Sequence, residues 1–414
     1  MKRPFRTGLV AGLLALTLVG AACHKDGSSE VSAGGAVSTP TAPAVPQTTE
    51  TTSAPVQATV PAAAPATSAT TAKPAAPKPA AAPKPAPKAT TTTTAKKKDP
   101  VDLRLGYFAN VTHAAAIAGV EKGIFTDKLG PDVNLKTSTF NAGSAALEAL
   151  FAGAIDATYI GPNPAINGFV KSKGEALRIV SGATSAGASF IVKPEINSAA
   201  DLKGKKVATP QLGNTQDVAL RAWLLGQGLK TDTQGGGDVS IKPQENGQTL
   251  ETFKTGQIAG AWVPEPWATR LVREGNGKVL VDERSLWPGG QFVTTHLIVT
   301  TAFLKAHPDV VDRLIAGHIA ATDYVNQKTA EAQDVVNAGI TKITGQAMNP
   351  ETISGSWKNM TFTFDPIASS LHKSADDAKK VGLLPGDTKI DGIYDLSFLN
   401  KLLTAAGKPP VSDR

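Results

Sequence analysis

Short runs of apolar residues alternate with longer segments of helical periodicity through the first two thirds of residues 101–414. β-Branched and aromatic residues are frequent in the short runs, as in VDLRLGYF (101–108) and DATYI (156–160). Apolar residues three and four positions apart mark the intervening segments, as in SAALEALFAG (144–153). This alternation predicts α/β layers with largely parallel sheets. From Thr301 onward the pattern is mostly helical, with a brief strand candidate in MTFTF.

Residues 1–23 have the pattern of a secretory signal. Three basic residues precede an apolar run, Leu9–Val19, which leads through small residues to Cys23. The run is shorter than the roughly 20 residues of a membrane-spanning helix, so we expect a signal rather than a permanent span. The small residues before the cysteine resemble the lipobox of bacterial lipoproteins, which implies that Cys23 is lipidated. Ordinary signal cleavage is the alternative. Cys23 is the single cysteine of the chain, so no intramolecular disulfide is expected.

Residues 24–100 are rich in Ala, Pro, Thr and Lys and offer almost nothing to bury. Proline blocks both helix and sheet, so we expect a disordered tether between the signal and a globular body. The formal charge of +7 for the whole chain comes from residues 1–100, which hold 11 Lys and Arg against 4 Asp and Glu. The globular part is therefore neutral overall, and the basic balance is no argument for a nucleic-acid partner.

Five segments between residues 103 and 300 resemble, in their order and spacing, the solute-binding proteins of ABC importers. They read LRLGYF, GVEKGIF, FNAGSAALEALFAGAIDATYIGPNPAI, DLKGKKVATPQLGNTQDVALRAWL and TFKTGQIAGAWVPEPWATRLV. The branch that they resemble carries aliphatic sulfonates, taurine, nitrate and thiamine-precursor pyrimidines.

The resemblance implies a two-lobed α/β fold, the periplasmic-binding-protein type II fold, with two crossing strands and the ligand in the interlobe cleft. Lobe 1 is expected from residues 101–191 plus 295–414, and lobe 2 from residues 192–294. The crossings are expected near Ser189–Val192 and near Thr294–Val299. Closure of the lobes on the ligand is expected as well.

In open α/β sheets the ligand site forms at the carboxyl ends of the strands, so the turns after the strands are the candidates. Three such turns in lobe 1 lead into helices, whose starts suit an anion through free backbone N–H groups and the helix dipole. The alternatives are well-capped helices without a ligand and, for the histidine, a partly exposed first-turn side chain. The candidate ligand-binding residues are Tyr107, His113, Asn141, Gly143, Ser144, Gly161 and Asn163.

Lobe 2 repeats this arrangement in PQLGNTQDVALRAWL. The resemblance implies that Gly213, Asn214 and Thr215 contact the charged group of the ligand, and Gln216 is a further candidate. Where the chain crosses back, in TTHLIV, the candidates are Thr295 and His296.

The segment WVPEPW sets Trp262 and Trp267 around Glu265. One interpretation is that an indole forms an apolar wall for the ligand while the carboxylate orients an amine or hydroxyl. The other is structural: Glu265 complements the dipole of the helix that follows, and Trp267 lies in the core.

A catalytic function has little support in the sequence. G-x-S-x-G, P-loop and H-E-x-x-H motifs are absent, and the one cysteine belongs to the signal. His113, His296 and Glu265 do not have a recognised metal-ligand spacing. We therefore expect no catalytic residues, metal or cofactor. A synthase on the same fold, as the resemblance to thiamine-pyrimidine synthases allows, and a surface protein without a ligand are the alternatives.

The expected function is capture of a small organic solute for an ABC permease and its ATPase subunits. The protein is expected to be a monomer, secreted and held at the outer face of the membrane by a lipid at Cys23. An aliphatic sulfonate or a taurine-like compound is the first choice of ligand. A thiamine-precursor pyrimidine or nitrate is the alternative, and nitrate ranks lower because no Lys or Arg lies in the candidate turns.

Overall fold

The computed structural model describes residues 99–414. The predicted signal, Cys23 and the tether up to residue 98 lie outside the described residues. Within residues 99–414, no helix has both the length and the apolar character needed to cross a membrane.

The strands of the described chain form two separate sheets. They are β1 (Val101–Phe108), β2 (Val133–Phe140), β3 (Ala157–Ile160), β4 (Leu177–Ala186), β5 (Ala188–Val192), β6 (Lys206–Thr209), β7 (Ser240–Pro243), β8 (Gly260–Pro264), β9 (Lys278–Asp282), β10 (Val293–Thr300) and β11 (Met360–Phe362). The six-stranded sheet has the order β11-β4-β10-β3-β1-β2, and the five-stranded sheet has the order β7-β6-β8-β5-β9. The strands near the middle are fully or almost fully buried, in keeping with their content of β-branched residues.

Helices connect most of the strands and then form the whole closing part of the chain. They are α1 (Ala114–Glu121), α2 (Ile124–Leu129), α3 (Gly143–Phe151), α4 (Pro162–Lys171), α5 (Thr215–Gly226), α6 (Asn246–Lys254), α7 (Trp267–Gly275), α8 (Thr301–Ala306), α9 (Pro308–Gln327), α10 (Thr329–Thr344), α11 (Pro350–Lys358), α12 (Ala368–Lys380) and α13 (Ser397–Ala405). The prediction of a mostly helical section from Thr301, with a short strand at Met360, is confirmed.

Each sheet has helices on both faces. In the first lobe, which we define as the six-stranded sheet with α1–α4 and α8–α13, one apolar cluster lies under α1, α2, α9 and α10 and another under α3, α4 and α12. In the second lobe, which is the five-stranded sheet with α5–α7, α5 covers one cluster and α6 and α7 cover the other. Both lobes are thus three-layer α/β units, as the alternating sequence pattern predicts.

The prediction of largely parallel sheets was wrong for the pairs that involve β5, β10 and β11. β1 pairs in parallel with β2 and β3, and β6 with β7 and β8. β10 is antiparallel to β3 and β4, β5 is antiparallel to β8 and β9, and β11 is antiparallel to β4. The reason for β5 and β10 is that each enters its sheet from the other lobe, and therefore runs opposite to the strands that end at the lobe boundary.

The chain passes from the first sheet to the second at Gly187, between β4 and β5, and returns between β9 and β10. The division of the lobes at residues 191/192 and 294/295 stays a prediction.

A buried polar chain joins β3, β4 and α9 inside the first lobe. The carbonyl of Gly182 can only accept, so His318 Nε2–H donates to it over 2.8 Å. The other ring nitrogen, Nδ1, then accepts from the Tyr159 hydroxyl over 2.8 Å. Burial lowers the pKa of His318 to about 4, so the ring is neutral at pH 7.

We expect Gly182→Ala to lower the free energy of unfolding by about 1 to 3 kcal/mol or more, because a Cβ at this position would collide with the backbone of Asp365. Gly226→Ala is the matched control. It adds a methyl group near the exposed end of α5, where no atom lies within 4 Å, and alanine is the better helix former. Urea unfolding of both variants measures the difference. Equal stability of the two variants would contradict the close packing of β4 against residue 365.

Candidate functional site

A cavity of about 40 Å³ lies between the two lobes, where strands of both sheets end. We call it the cleft cavity. β1 and β3 lead to it from the first lobe, and β6 and β8 lead to it from the second. β10 begins there. Its lining residues are Phe108, Asn110, Thr112, His113, Asn141, Ala142, Gly143, Gly161, Pro164, Pro210, Asn214, Thr215, Gln216, Asn246, Pro264, Thr294 and Thr295.

Four helices, α3 and α4 of the first lobe and α5 and α6 of the second, begin at the cleft cavity. The first residues or N-caps of all four line it. Among these four helices of the described chain, only α5 has an N-cap side chain that accepts a hydrogen bond: Asn214 Oδ1 accepts from the N–H of Asp217 over 3.0 Å. Helix starts carry unpaired N–H groups and the positive end of the helix dipole. Their convergence therefore gives the cavity a positive potential.

The positive potential comes without a cationic side chain. All the side chains that line the cleft cavity in the described part of the protein are apolar or neutral polar groups, apart from the titratable His113. Burial lowers the pKa of His113 from 6.5 to about 3, so its ring is neutral at pH 7.

The hydrogen bonding of His113 determines which of its ring nitrogens carries the proton. The backbone N–H of Phe108 donates to Nδ1 over 3.3 Å. Nδ1 must therefore hold the lone pair, and Nε2 carries the hydrogen. The ring also stacks on Phe108, with 4.5 Å between the centroids. His113 thus adds a neutral donor to the wall of the cavity.

Two polar atoms at the cavity have no hydrogen-bond partner among the described residues. They are Thr295 Oγ1 and Asn246 Oδ1, and both belong to buried residues. A buried polar group without a partner costs free energy, which a suitable ligand atom or ordered water recovers. These atoms are further evidence that the cavity holds a polar guest.

The two lobes are in direct contact around the cavity. Asn141 Nδ2 donates to Glu245 Oε1 over 3.1 Å, and the N–H of Ser144 donates to Gln211 Oε1 over 3.0 Å. A Cβ at Gly161 would meet the Thr215 hydroxyl of the opposite lobe, so glycine permits this close approach. The structure therefore shows the closed arrangement of the cleft.

The structure brings eight of the sequence-predicted residues to the cavity, namely His113, Asn141, Gly143, Gly161, Asn214, Thr215, Gln216 and Thr295.

Tyr107 and His296 lie away from the cavity. Phe108 and Thr295 line the cavity, and because successive side chains on a strand point to opposite faces, Tyr107 and His296 point into the first lobe instead. Tyr107 packs in the apolar cluster under α1. His296 Nε2 lies 3.2 Å from the carbonyl of Pro366, and burial lowers its pKa to about 4.

Ser144, Asn163 and Gly213 stand beside the cavity but use their hydrogen-bonding groups on other residues. The N–H of Ser144 is bound to Gln211, as described above. Asn163 Nδ2 donates to the carbonyl of Ser374 over 3.2 Å. The carbonyl of Gly213 accepts from Asn167 Nδ2 of the first lobe over 3.2 Å. Gly213 also has a φ of 72°, a conformation that glycine adopts freely.

Trp262 is fully buried in the core of the second lobe. Its ring stacks on Phe190, with 5.5 Å between the centroids, and its Nε1–H donates to Glu283 Oε2 over 2.7 Å. Burial raises the pKa of Glu283 to about 7. Trp262 presents no surface to the cavity in this closed arrangement.

Glu265 is also buried outside the cavity wall. Its Oε2 accepts from the N–H of Thr269 over 3.1 Å, which caps the first turn of α7. Its Oε1 accepts from Asn359 Nδ2 of the first lobe over 2.6 Å. Burial raises the pKa of Glu265, and the hydrogen bonds from Asn359 and Thr269 oppose that change. Glu265 thus lies at the start of α7, as the structural interpretation of WVPEPW has it, and adds a contact across the lobes.

Trp267 lies next to the cavity, behind Asn110. Its Nε1–H donates to Asn110 Oδ1 over 2.9 Å, and Asn110 itself lines the cavity.

The candidates from the sequence did not include Asn246, whose Oδ1 is one of the two unpartnered atoms. Asn246 starts α6 directly after β7. The rule used for the other turns, a polar residue between a strand end and a helix start, would have found it.

In residues 99–414, no group of three or more His, Cys, Asp or Glu side chains has the arrangement of a metal site.

The comparisons with known proteins agree on one family. The family model described as the NMT1-like family matches residues 96–340, more than half of the chain. A provisionally named binding protein of Brucella abortus (strain 2308) is 28% identical over 291 residues, which cover 70% of this chain and 84% of that protein. The taurine-binding periplasmic protein of Escherichia coli (strain K12) is 26% identical over 172 residues, which cover 42% of this chain and 51% of that protein.

Among solved structures, the alkanesulfonate-binding protein SsuA from Xanthomonas axonopodis pv. citri has a TM-score of 0.59 at 18% identity. The match covers 72% of this chain and 99% of SsuA. It confirms the predicted α/β fold of periplasmic binding proteins.

We expect the free energy of unfolding of the wild type to fall at acid pH, because the unfolded chain takes up a proton at His113. His113→Gln should not show this part of the decrease. The pKa of His113 is about 3 in the folded protein and about 6.5 when unfolded. The unfolded chain thus binds the extra proton between these values, and stability falls as pH decreases from 6.5 toward 3.

At pH 5 this increment is about 2 kcal/mol. Urea unfolding of both proteins at pH 7.5 and pH 5 measures it, because the other titrating groups are common to both. Parallel pH dependences would contradict a buried, neutral His113.

Proposed function

Because the chain belongs to the NMT1-like family, we propose that it is the solute-binding component of an ABC importer and that its ligand is a small aliphatic sulfonate. The observation that carries the choice of an anion is the convergence of α3, α4, α5 and α6 on one cavity with neutral walls. Helix starts bind sulfate, phosphate and carboxylate groups by the same N–H groups and dipoles.

A sulfonate suits the cavity in charge and in shape. Its single negative charge balances the partial charges of the helix starts, and three oxygens accept hydrogen bonds from several directions. Donors surround the cavity on both lobes: Thr295 Oγ1–H and His113 Nε2–H in the first lobe, and the N–H groups at the start of α5 in the second. Hydrogen bonds to an ionised group are stronger than those between neutral groups.

The cavity favours an unsubstituted alkanesulfonate over taurine. The ammonium group of taurine needs an acceptor of negative charge, and the walls in the described residues hold no Asp or Glu side chain. Glu265, the candidate for that role, is occupied by Thr269 and Asn359. The taurine-binding relative nevertheless makes taurine a necessary comparison.

Nitrate is the second candidate, because the volume of about 40 Å³ suits a small anion. It ranks second because it has the same charge as a sulfonate but no organic part to make apolar contacts. The described lining residues include no Lys or Arg that would compensate for the missing contacts. A pyrimidine is less well supported, since neither indole faces the cavity and the accessible rings, Phe108 and His113, stack on each other.

In the proposed mechanism the open form takes the anion on one lobe, and closure completes its hydrogen bonds from the other. Contacts such as Asn141 to Glu245 and Asn359 to Glu265 hold the closed form, which the permease then recognises. The predicted signal, the lipobox-like cysteine and the tether support a position at the outer face of the membrane. The ATPase chemistry belongs to partner subunits. A synthase would instead form product steadily in a turnover assay.

We expect Thr295→Val to weaken methanesulfonate binding by about 1.5 to 3 kcal/mol, the contribution of a hydrogen bond to a charged group. The free protein should keep its stability, because Oγ1 has no partner to lose in the described structure. Thr322→Val is the matched control, since Thr322 Oγ1 is also buried and unpartnered there, but Thr322 lies in α9 and is not one of the residues that line the cavity.

Isothermal titration calorimetry with methanesulfonate, taurine and nitrate measures these affinities, and thermal unfolding without ligand measures stability. If nitrate binds more tightly than methanesulfonate, nitrate replaces the sulfonate as the proposed ligand. Failure of all three anions to bind wild-type protein would overturn the anion site.

A further inference from the structure

A buried ion pair lies directly behind the loop that brings α5 to the cleft cavity. Asp217, in the first turn of α5, pairs with Arg221 one turn later, with 2.9 Å between Oδ2 and Nε. Both side chains are buried, with exposed fractions of 0% and 2%. Neither of them lines the cavity, but the residues just before Asp217 do, namely Asn214, Thr215 and Gln216. Any influence of the pair on a ligand is therefore indirect.

Asp217 holds the loop of residues 209–216 against the start of α5. Its Oδ2 accepts from the N–H of Gly213 and its Oδ1 accepts from the Thr209 hydroxyl, each over 2.9 Å. Its own N–H donates to Asn214 Oδ1, the N-cap bond described above. One carboxylate thus connects both ends of the loop that forms this wall of the cavity.

The carboxylate of Asp217 has the same sign of charge as the proposed ligand. It lies at the helix start whose N–H groups and dipole would attract that ligand. An uncompensated negative charge there would repel an anion in the cavity, because buried charges are only weakly screened by water and salt. The guanidinium of Arg221, in direct contact with Asp217, compensates for this charge.

Stability alone gives little reason for an arginine at this position. Nη1 of Arg221 donates to the carbonyl of Asp232 over 2.7 Å, but Nη2 is buried without a partner among the described residues. A buried donor without a partner costs free energy. A buried ion pair can often be replaced by apolar side chains of similar volume without loss of stability. The position of the pair behind the cavity supplies a reason that stability does not.

We propose that Arg221 is a positioning residue of the anion site, which holds Asp217 and neutralises its charge so that the carboxylate orders the loop without repelling the ligand. Arg221 does this without touching the ligand. The inference rests on the proposed function, because it takes an anionic ligand as given.

Two variants of the whole protein test this charge compensation. Arg221→Met removes the guanidinium and leaves the carboxylate, so methanesulfonate should bind about tenfold more weakly, the effect of one uncompensated charge close to the site. The double variant Asp217→Asn, Arg221→Met removes both charges, and the asparagine keeps an acceptor for the loop. Its affinity should return to within about threefold of wild type. A merely structural Arg221 would leave the double variant as weak as the single one.

Arg313→Met is the matched control. Arg313 also pairs with an aspartate four residues earlier, Asp309, and also donates to a backbone carbonyl, that of Leu129. It lies in α9 and is not one of the residues that line the cavity. This substitution removes the same charge from the protein and should leave the affinity for methanesulfonate unchanged.

Isothermal titration calorimetry measures the affinities at a temperature where thermal unfolding shows each variant to be folded. If Arg221→Met does not fold, because its buried carboxylate has lost its partner, the double variant still decides between the two outcomes. Equal affinity of wild type and Arg221→Met, or tenfold weaker binding by the double variant, would overturn the role of Arg221 and leave the proposed function standing. Failure of wild type to bind methanesulfonate, taurine and nitrate would overturn the proposed function itself.

Discussion

A helix that begins at a buried surface needs acceptors for its first N–H groups, and four helices of this protein begin at one cavity. This constraint follows from the fold, because the strands that lead into α3, α4, α5 and α6 end at the lobe boundary. The anion that we propose for the cavity would supply the missing acceptors of several helices at once. A fixed cation there would be buried and unpaired whenever the ligand is absent, at a considerable cost. Neutral walls with helix dipoles avoid that cost.

The same boundary also explains the polar contacts between the lobes. Glu265 caps α7 and accepts from Asn359 of the other lobe, so one carboxylate contributes both to a helix start and to the closed arrangement. Gly161 leaves room for Thr215, which lets the two lobes approach until their helix starts surround one small space. Binding and closure are thus connected through the residues that end the strands and begin the helices.

Much of the fold was predictable from the sequence, since strand and helix patterns are local. The antiparallel course of β5 and β10 was not, because it depends on the side from which the chain enters each sheet. At the site, turns with small polar residues pointed to Asn214 and Thr215, which line the cavity, and their contact with a ligand stays a prediction. Tyr107 was named instead of its neighbour Phe108, and His296 was named together with Thr295, because the sequence pattern does not show which strand face meets the cleft. Trp262 belongs to the core through Phe190, a contact that is distant in sequence.

Long-wavelength anomalous diffraction from crystals grown with methanesulfonate tests the central claim most directly, because the ligand sulfur can be located without assumptions about its contacts. The account predicts a sulfur peak in the cleft cavity, with sulfonate oxygens about 3 Å from N–H groups at the helix starts and from Thr295 Oγ1. A sulfur peak elsewhere, or a sulfonate held chiefly by a Lys or Arg side chain, would contradict it.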